Sequence, residues 1–448
     1  MIYELRKFKF ILLLIFFLLI PQLTYAACGG TPTESPSGTW TTYDASYDCV
    51  TDAIQNYATA GETVVIANGN ATWNSQLSID KHLILQGGTG TITNGGSSFL
   101  IRFAPATPTQ ANVFELKNMT VSGAFFKAYN SSATVPITIN IHDNTVTSTS
   151  GYVFETDGGP VYGVVYSNTF NYSSNEQFDL LGSDSNWNNF QHEYGTANAL
   201  YIEDNTFSGA DRPIDSGQGF KGYVARYNDI INTGVDTRTL FDMHGDYPTW
   251  GCGTMHGEFY GNKVTSTPAT LVASQRGGWA LSFYNGQTST SAIYGGKLYN
   301  DFTNDSGGCP AHANNSVDED ISNSYYWSNA NSSGAQAGIA TAEGVPTANE
   351  DYWLYTESFN GTSGVGCGTT RPGTCTTGTA FWETSQSCST LADYIGTTPT
   401  TPISGTLYKC TATDTWTEYY EPYTYPHPLR TEAYDIVAPA SPTGLSVQ

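Results

Sequence analysis

The periodicity of apolar and polar residues changes early in the chain. Val50, Ala53 and Ile54 recur at helical spacing, which predicts a short amphipathic helix over Asp48–Tyr57. Gly61 and Glu62 end it, and Thr63-Val-Val-Ile66 reads as a strand. Leu77-Ser-Ile79 and Leu83-Ile-Leu85 follow, each bounded by turn residues. A pattern of Asn-x-apolar then repeats, at Asn144-Thr-Val146, Asn168-Thr-Phe170, Asn205-Thr-Phe207, Asn228-Asp-Ile230 and Asn262-Lys-Val264. Three residues before each Asn lies Ile141, Val165, Ile202, Ala225 or Phe259. Successive Asn residues are 24, 37, 23 and 34 positions apart, so a short unit carries two insertions.

A unit of this length cannot bury its own apolar face, so neighbouring units have to stack. Stacked parallel strands sit about 4.8 Å apart. An Asn at a sharp corner can then hydrogen-bond its equivalents above and below, as a polar ladder. A β-propeller is the competing repeat fold, but its blades are longer and carry four strands each.

The helix, the Gly61-Glu-Thr-Val-Val-Ile66 run and the Asn-x-apolar units resemble the pectate-lyase-like right-handed parallel β-helix superfamily over roughly residues 45–330. The resemblance implies an all-β, single-stranded right-handed parallel β-helix with an N-terminal cap helix over residues 27–360. Residues 361–430 read as a loop-rich, disulfide-pinned C-terminal cap over the open end of the solenoid. Within them, Tyr423-Thr-Tyr-Pro-His-Pro-Leu429 resembles the C-terminal end of secreted bacterial β-helix proteins. Residues 431–448 read as a linker, and Ala440-Ser-Pro-Thr-Gly-Leu445 resembles the opening strand of a fibronectin type III domain.

Composition narrows the function classes. The chain has 448 residues, 17 basic against 40 acidic, and a formal charge of -23. A basic nucleic-acid binder is excluded, because phosphate neutralisation needs clustered Lys and Arg. With 13% charged residues a coiled coil is excluded, and 13% aromatics can build a core, so wholesale disorder is excluded too. Arg6, Lys7 and Lys9 precede the apolar run Ile11–Ile20, and Thr24-Tyr25-Ala26 supplies small residues at a cleavage position. Residues 1–26 therefore read as a secretory signal peptide, and the protein as a secreted or cell-surface monomer without a membrane span. Eight cysteines without C-x-x-C spacing favour disulfides over zinc. Neighbour pairing gives Cys28–Cys49, Cys252–Cys309, Cys367–Cys375 and Cys388–Cys410.

Coil alignment places side chains on faces, since strand residues alternate in and out. Two positions before the ladder Asn, pointing outward, lie His142, Tyr166, Glu203, Arg226 and Tyr260, so Glu203 and Arg226 are expected as stacked neighbours. A second strand family aligned on Gly (Val153–Gly158, Arg212–Gly217, Leu240–Gly245, Val272–Gly277) places Asp157, Ser216, His244 and Arg276 in one column, with Asp215 and Asp242 nearby. The insertions fall at one corner. One spans Ser183–Asn198 with Trp187, Phe190, His192 and Tyr194, and the other spans Asp246–His256 with Trp250. The coil between them stays short and carries Lys221. Two aromatic walls around one low coil predict a groove with Asp215, Lys221 and Arg226 on its floor.

Such a groove suits a polysaccharide, with sugar rings on Trp187, His192, Tyr194 and Trp250 and charged groups, Glu203 included, on hydroxyls or uronate carboxylates. The blander readings are a surface Glu203–Arg226 ion pair, a turn-capping His244, a solvated Lys221 and tryptophans that pack their own loops. The resemblance implies a lyase that removes the proton beside a uronate carboxylate by β-elimination. Lys221 or Arg226 would be the base, Arg276 the carboxylate clamp and His244 the proton donor to the leaving oxygen. Calcium, bound by Asp215 and Asp242 with Glu203, would neutralise the carboxylate. The paired-Asp, Gly-His-Gly and Arg-x-Lys set of polygalacturonases is not visible. Asp242-Met-His244-Gly245 matches only in part the Arg-His-Gly of chondroitinase-B-like and alginate lyases, since Met243 holds the Arg position. Hydrolysis would need a carboxylate pair, for which Asp215 and Asp242 are the candidates. The competing function is a non-catalytic surface or adhesion protein.

Overall fold

The computed structural model describes residues 28–149, 151–172, 176–209, 212–231, 238–245, 252–266, 268–299, 320–343 and 346–430. The leader, the fibronectin-like tail, Trp250 and Cys309 lie outside these described residues.

The chain lays down strands in threes. Ile137–His142, Thr145–Ser148 and Phe154–Gly158 complete one coil, and Val161–Tyr166 then pairs in parallel with Ile137–His142. Repetition builds three long sheets. Sheet 1 has thirteen described strands, and sheet 2 (through Thr145–Ser148) and sheet 3 (through Phe154–Gly158) have ten each. One antiparallel pair, Thr33–Glu34 with Thr39–Thr41, opens sheet 1. These long parallel stacks are the architecture of a β-solenoid. Its interior is a column of inward side chains, including Phe126, Phe154 and Phe178, with successive ring centroids 5.5 and 4.6 Å apart. Each buried Phe contributes about 1.5–3 kcal/mol relative to exposure. The N-terminal helix spans Tyr47–Asp52 and runs on as a π turn over Ala53–Tyr57, with the Ser46 hydroxyl accepting from the Cys49 amide.

The Asn ladder is present and longer than the Asn-x-apolar pattern indicates. Each corner turns on a left-handed residue, among them Asp143, Ser167, Asp204, Tyr227, Tyr284 and Ser328, with φ between 51° and 55°. That conformation costs a non-glycine residue roughly 1–2 kcal/mol. The following Asn offsets the cost. Its Nδ2 donates to the next Asn Oδ1 at 2.8–3.1 Å through Asn144, Asn168, Asn205, Asn228, Asn262, Asn285 and Asn329. Asn285 and Asn329 escape the sequence pattern because Gln287 and Asn331 stand where the apolar residue is expected.

Beyond the coils, Val365–Gly368, Ala380–Glu383, Thr406–Ala412 and Thr415–Tyr420 form a four-stranded sheet. The disulfides correct the neighbour pairing: Cys28–Cys49 forms as expected at the N-terminal helix, but in this region Cys367 joins Cys388 and Cys375 joins Cys410. The Cys375 amide donates to Asp414 Oδ1 at 2.9 Å, which draws its turn onto the hairpin that carries Cys410. The expected Cys252–Cys309 bond involves a residue outside the described set.

The placement of this region also differs from a simple end cap. It packs a second apolar core against the outer flank of sheet 1, joining Tyr201, Val224, Tyr260, Phe283 and Trp327 to Trp382, Leu407 and Tyr420. Residues 420–430 then run back along that flank. Tyr420 donates to Glu258, Arg226 donates to the Tyr423 and Thr424 carbonyls, the His427 amide donates to Glu203, and Asn140 donates to the Leu429 carbonyl. A sheet covered on both sides explains why Ile137–His142 and Val161–Tyr166 are buried at every position.

Candidate functional site

The outer face of sheet 3 carries the densest cluster of chemistry. The register stacks Glu155, Asp179, Asp215, Asp242, Ser274 and Lys297 in one column, which Arg102 and Lys127 extend at the other end. Adjacent carboxylates repel, so cations have to intervene. Arg212 Nη1 lies 2.7 Å and Arg276 Nη2 3.0 Å from Asp242 Oδ2. Asp242 is 1% exposed, and its other oxygen is buried without a hydrogen bond among the described residues.

His244 stands between the carboxylates. Its Nε2 is 3.2 Å from Asp215 Oδ1 and 3.7 Å from Asp242 Oδ2. Arg276 Nη1 lies 3.2 Å from its Nδ1, so in the neutral ring Nδ1 accepts and Nε2 carries the proton. Burial opposes protonation of His244, but the hydrogen bond to Asp215 and the charges of Asp242 and Asp215 outweigh it and raise its pKa. The fold thus gathers four expected residues, Asp215, Asp242, His244 and Arg276, and adds Arg212, which the sequence pattern does not single out.

The Gly-based alignment slips by one residue at Arg212–Gly217. Ser216 pairs with Met243, while Asp215 pairs with Asp242. Ser216 accordingly turns inward, 1% exposed, and donates to the Asp242 carbonyl. One residue of slip moves a strand side chain to the opposite face, and this removes Ser216 from the outer column.

The expected groove is filled. At the corner between sheets 3 and 1, the Ser183–Asn198 insertion closes onto residues 252–256, the described end of the second insertion. Trp187 Nε1 donates to the Gly253 carbonyl at 2.7 Å, and the Cys252 amide donates to Asp184 at 2.8 Å. Trp187, Cys252 and Met255 form a buried cluster with Phe190 packed on it. Trp187, 4% exposed, packs its own loop and offers no stacking face for a sugar. His192 stacks on Trp279 at 4.2 Å, and burial pushes its pKa down to about 4. Tyr194 is wedged against His256 and Tyr420. Lys221 lies beneath this loop, 3% exposed, 3.2 Å from Glu193 and under the ring of Phe190; burial lowers its pKa. It is a packing residue here, neither solvated nor open to substrate.

Glu203 and Arg226 stack on consecutive coils as expected, but on sheet 1, away from the cluster. Arg226 Nε donates to Glu203 at 2.6 Å, and both side chains are 0% exposed. Arg430 adds a second cation at 2.8 Å from Glu203 Oε1. Arg226 and Arg430 hold Glu203 below the usual carboxylate range, against the effect of its burial. These residues anchor the returning C-terminal segment and cannot reach a substrate. Glu258, which the coil alignment sets diagonal to Arg226, lies in that interface too; burial pushes its pKa up to about 7 despite hydrogen bonds from Gly195 and Tyr420.

Asp215, Asp242 and His244 bring one candidate metal ligand each within 4.8 Å of one another. Calcium prefers about six to eight oxygen ligands. Here the third donor is a nitrogen, and Asp242 already holds two guanidinium groups, so the set fits calcium poorly. Comparison of the chain with protein-family models, with curated proteins and with solved structures finds no match.

Proposed function

We propose that this is an exported, polysaccharide-active solenoid whose working face is the outer surface of sheet 3, and that it acts on a uronate-containing chain. Right-handed winding and kinship with pectate-lyase-like β-helices belong to this proposal. The three-strand parallel coil, the N-terminal helix and the general right-handedness of parallel crossovers support them. The three disulfides among the described residues fit an oxidising compartment. No helix of the described residues is long and apolar enough to cross a membrane.

The observation that carries the reading is the meeting of His244, Arg276 and Arg212 over two in-register carboxylates. The guanidinium groups suit a uronate carboxylate, whose neutralisation acidifies the neighbouring proton. A His with raised proton affinity suits delivery of a proton to the leaving oxygen. In this assignment Arg276 is the clamp and His244 the one proton carrier of a lyase-type β-elimination: its neutral ring takes the proton beside the carboxylate and passes it to the leaving oxygen as the C–O bond breaks, which leaves the ring neutral again. Incubation with a panel of uronate polysaccharides tests it: unsaturated product absorbing in the ultraviolet, lost in His244→Ala and Arg276→Ala, is the expected result. Product formation unaffected by both variants would remove this face as the site.

A second reading is binding without turnover, as in an adhesion protein. Its specific support is that both expected bases have structural roles, Arg226 at 0% exposure and Lys221 at 3%. Retention of the polysaccharide without product, abolished by Arg276→Ala, would favour it.

A further inference from the structure

No disulfide among the described residues ties the coils to the C-terminal sheet. Cys367–Cys388 and Cys375–Cys410 each close within residues 361–430, and Cys28–Cys49 lies at the opposite end of the chain. One side-chain contact sits where such a tie would be. Lys409 Nζ meets Asn323 Oδ1 at 2.5 Å, between residues 86 positions apart.

Both residues are held from several directions. Lys409 lies in strand Thr406–Ala412, paired with Ala380 on one side and Thr417 on the other, and its neighbour Cys410 is bonded to Cys375. Asn323, with φ 46°, turns the corner into strand Ser324–Trp327. The Ser324 amide then donates to the Asp351 carbonyl at 3.3 Å, which fixes this corner to the next coil. A C=O bond is about 1.2 Å long, so Nζ lies within about 3.7 Å of Asn323 Cγ. Reacting atoms held about 3–3.5 Å apart gain a large advantage over the same groups free in solution, and this pair stands close to that separation.

The surroundings suit a nucleophilic amine. Lys409 is half-buried, with Nζ 5.0 Å from the centre of the Tyr419 ring. Burial lowers its pKa, and no carboxylate among the described residues opposes the shift. Desolvation of this kind favours the neutral, reactive form. In a chain with 40 acidic residues, an aspartate at position 323 would have satisfied the lysine by charge. The carboxamide does so less well. Its carbon, however, can lose ammonia, a far better leaving group than the oxide of a carboxylate.

We propose that Lys409 and Asn323 join after folding in an intramolecular isopeptide bond, which ties the C-terminal sheet to the coils. The ammonium first gives one proton to water. The Nζ lone pair then forms a bond to Cγ, the Cγ–Nδ2 bond breaks, and one Nζ proton passes to Nδ2, so that ammonia leaves. Both side chains are partly exposed, and water can carry that proton. The step consumes no oxidant. The bond is independent of the activity proposed for sheet 3, and it withstands the reducing agents that open the disulfides.

Mass spectrometry of the whole mature protein, reduced and alkylated, tests this. Wild type is expected to be lighter than its sequence by one ammonia. Its tryptic digest should hold a branched peptide that joins Asn323 to Lys409 and is uncut after Lys409. Lys409→Arg keeps the charge and should restore the full mass and linear peptides, and so should Asn323→Ser. Full mass in wild type, or a linear peptide with a free Lys409 amine as the main product, would overturn the proposal. So would a missing ammonia that persists in Lys409→Arg, since it would mark a cyclised asparagine elsewhere. Should either variant fail to fold, the wild-type digest alone decides between branched and linear peptides.

Discussion

Arg226 and Glu203 meet across consecutive coils at 2.6 Å, and the backbone of residues 423–427 closes over both. Neither charge reaches water, so their mutual satisfaction holds the flank together. Arg226→Met strips Glu203 of one cation and frees two backbone carbonyls. A loss of about 3–5 kcal/mol is expected, since removing one partner leaves an uncompensated buried charge. Denaturant unfolding measures it, and limited proteolysis should show new cuts near Tyr423. An unchanged midpoint would contradict the buried network.

The Asn ladder makes a separate prediction. Asn228→Ala and Asn285→Ala each leave buried partners unbonded on two coils, and each should cost about 1–3 kcal/mol. Equal effects at both positions would place Asn285 in the ladder on the same footing as Asn228. Wild-type melting in either variant would refute its role.

On sheet 3, His244→Ala and Arg276→Ala should preserve the fold while removing polysaccharide turnover or retention. Both side chains are partly exposed, at 14% and 21%, unlike the 0% of Arg226. Lys221→Met should instead leave activity in place. Loss of activity in Lys221→Met with an unchanged melting curve would return Lys221 to the site.

Acid should loosen the flank. His427, facing Glu203, Arg226 and Arg430, and His192, facing Lys221, both have pKa values pushed from 6.5 to about 4, chiefly by burial. The unfolded chain protonates first, so their contribution is complete above pH 6.5 and is lost as pH falls towards about 4. Glu258 acts in the opposite sense. Its pKa rises from 4.5 to about 7, so its contribution is present below 4.5 and fades as pH climbs to about 7. Melting temperatures across this range should flatten on the acid side in His427→Gln and on the neutral side in Glu258→Gln. Parallel curves for wild type and both variants would contradict the assignment.

Chelation of calcium should leave the melting temperature and polysaccharide retention unchanged, because Asp242 is already occupied by Arg212 and Arg276. A clear drop in either on chelation would show that the cluster takes the ion after all.

Much of the coil was legible in the sequence, because its causes are local and periodic. The Asn corners, the inward apolar column and the stacking of Glu203 on Arg226 follow from a repeat length. The disulfide exchange between Cys367–Cys388 and Cys375–Cys410 was not legible, since it depends on a hairpin folding back through Asp414. The covering of Arg226 was hidden for a similar reason: its partners lie 197 and 198 residues away, and no periodicity links them. Ser216 was misplaced by a single position of register, which pattern alone does not fix. The filled groove reflects a choice between packing and exposure. Trp187 and Phe190 look alike in sequence whether they stack on a sugar or on Met255.

The returning segment has a consequence for how this molecule can change length. An ordinary repeat array gains or drops a unit with little effect elsewhere, since each unit touches only its neighbours. Here one strap is fastened at Asn140, Glu203, Arg226 and Glu258, at spacings set by the coils between them. A duplication or deletion of one coil within that span would put every fastening out of step at once. Tolerated insertions should therefore fall in corner loops or among coils before Asn140, and the clamped stretch should behave as a ruler of fixed length.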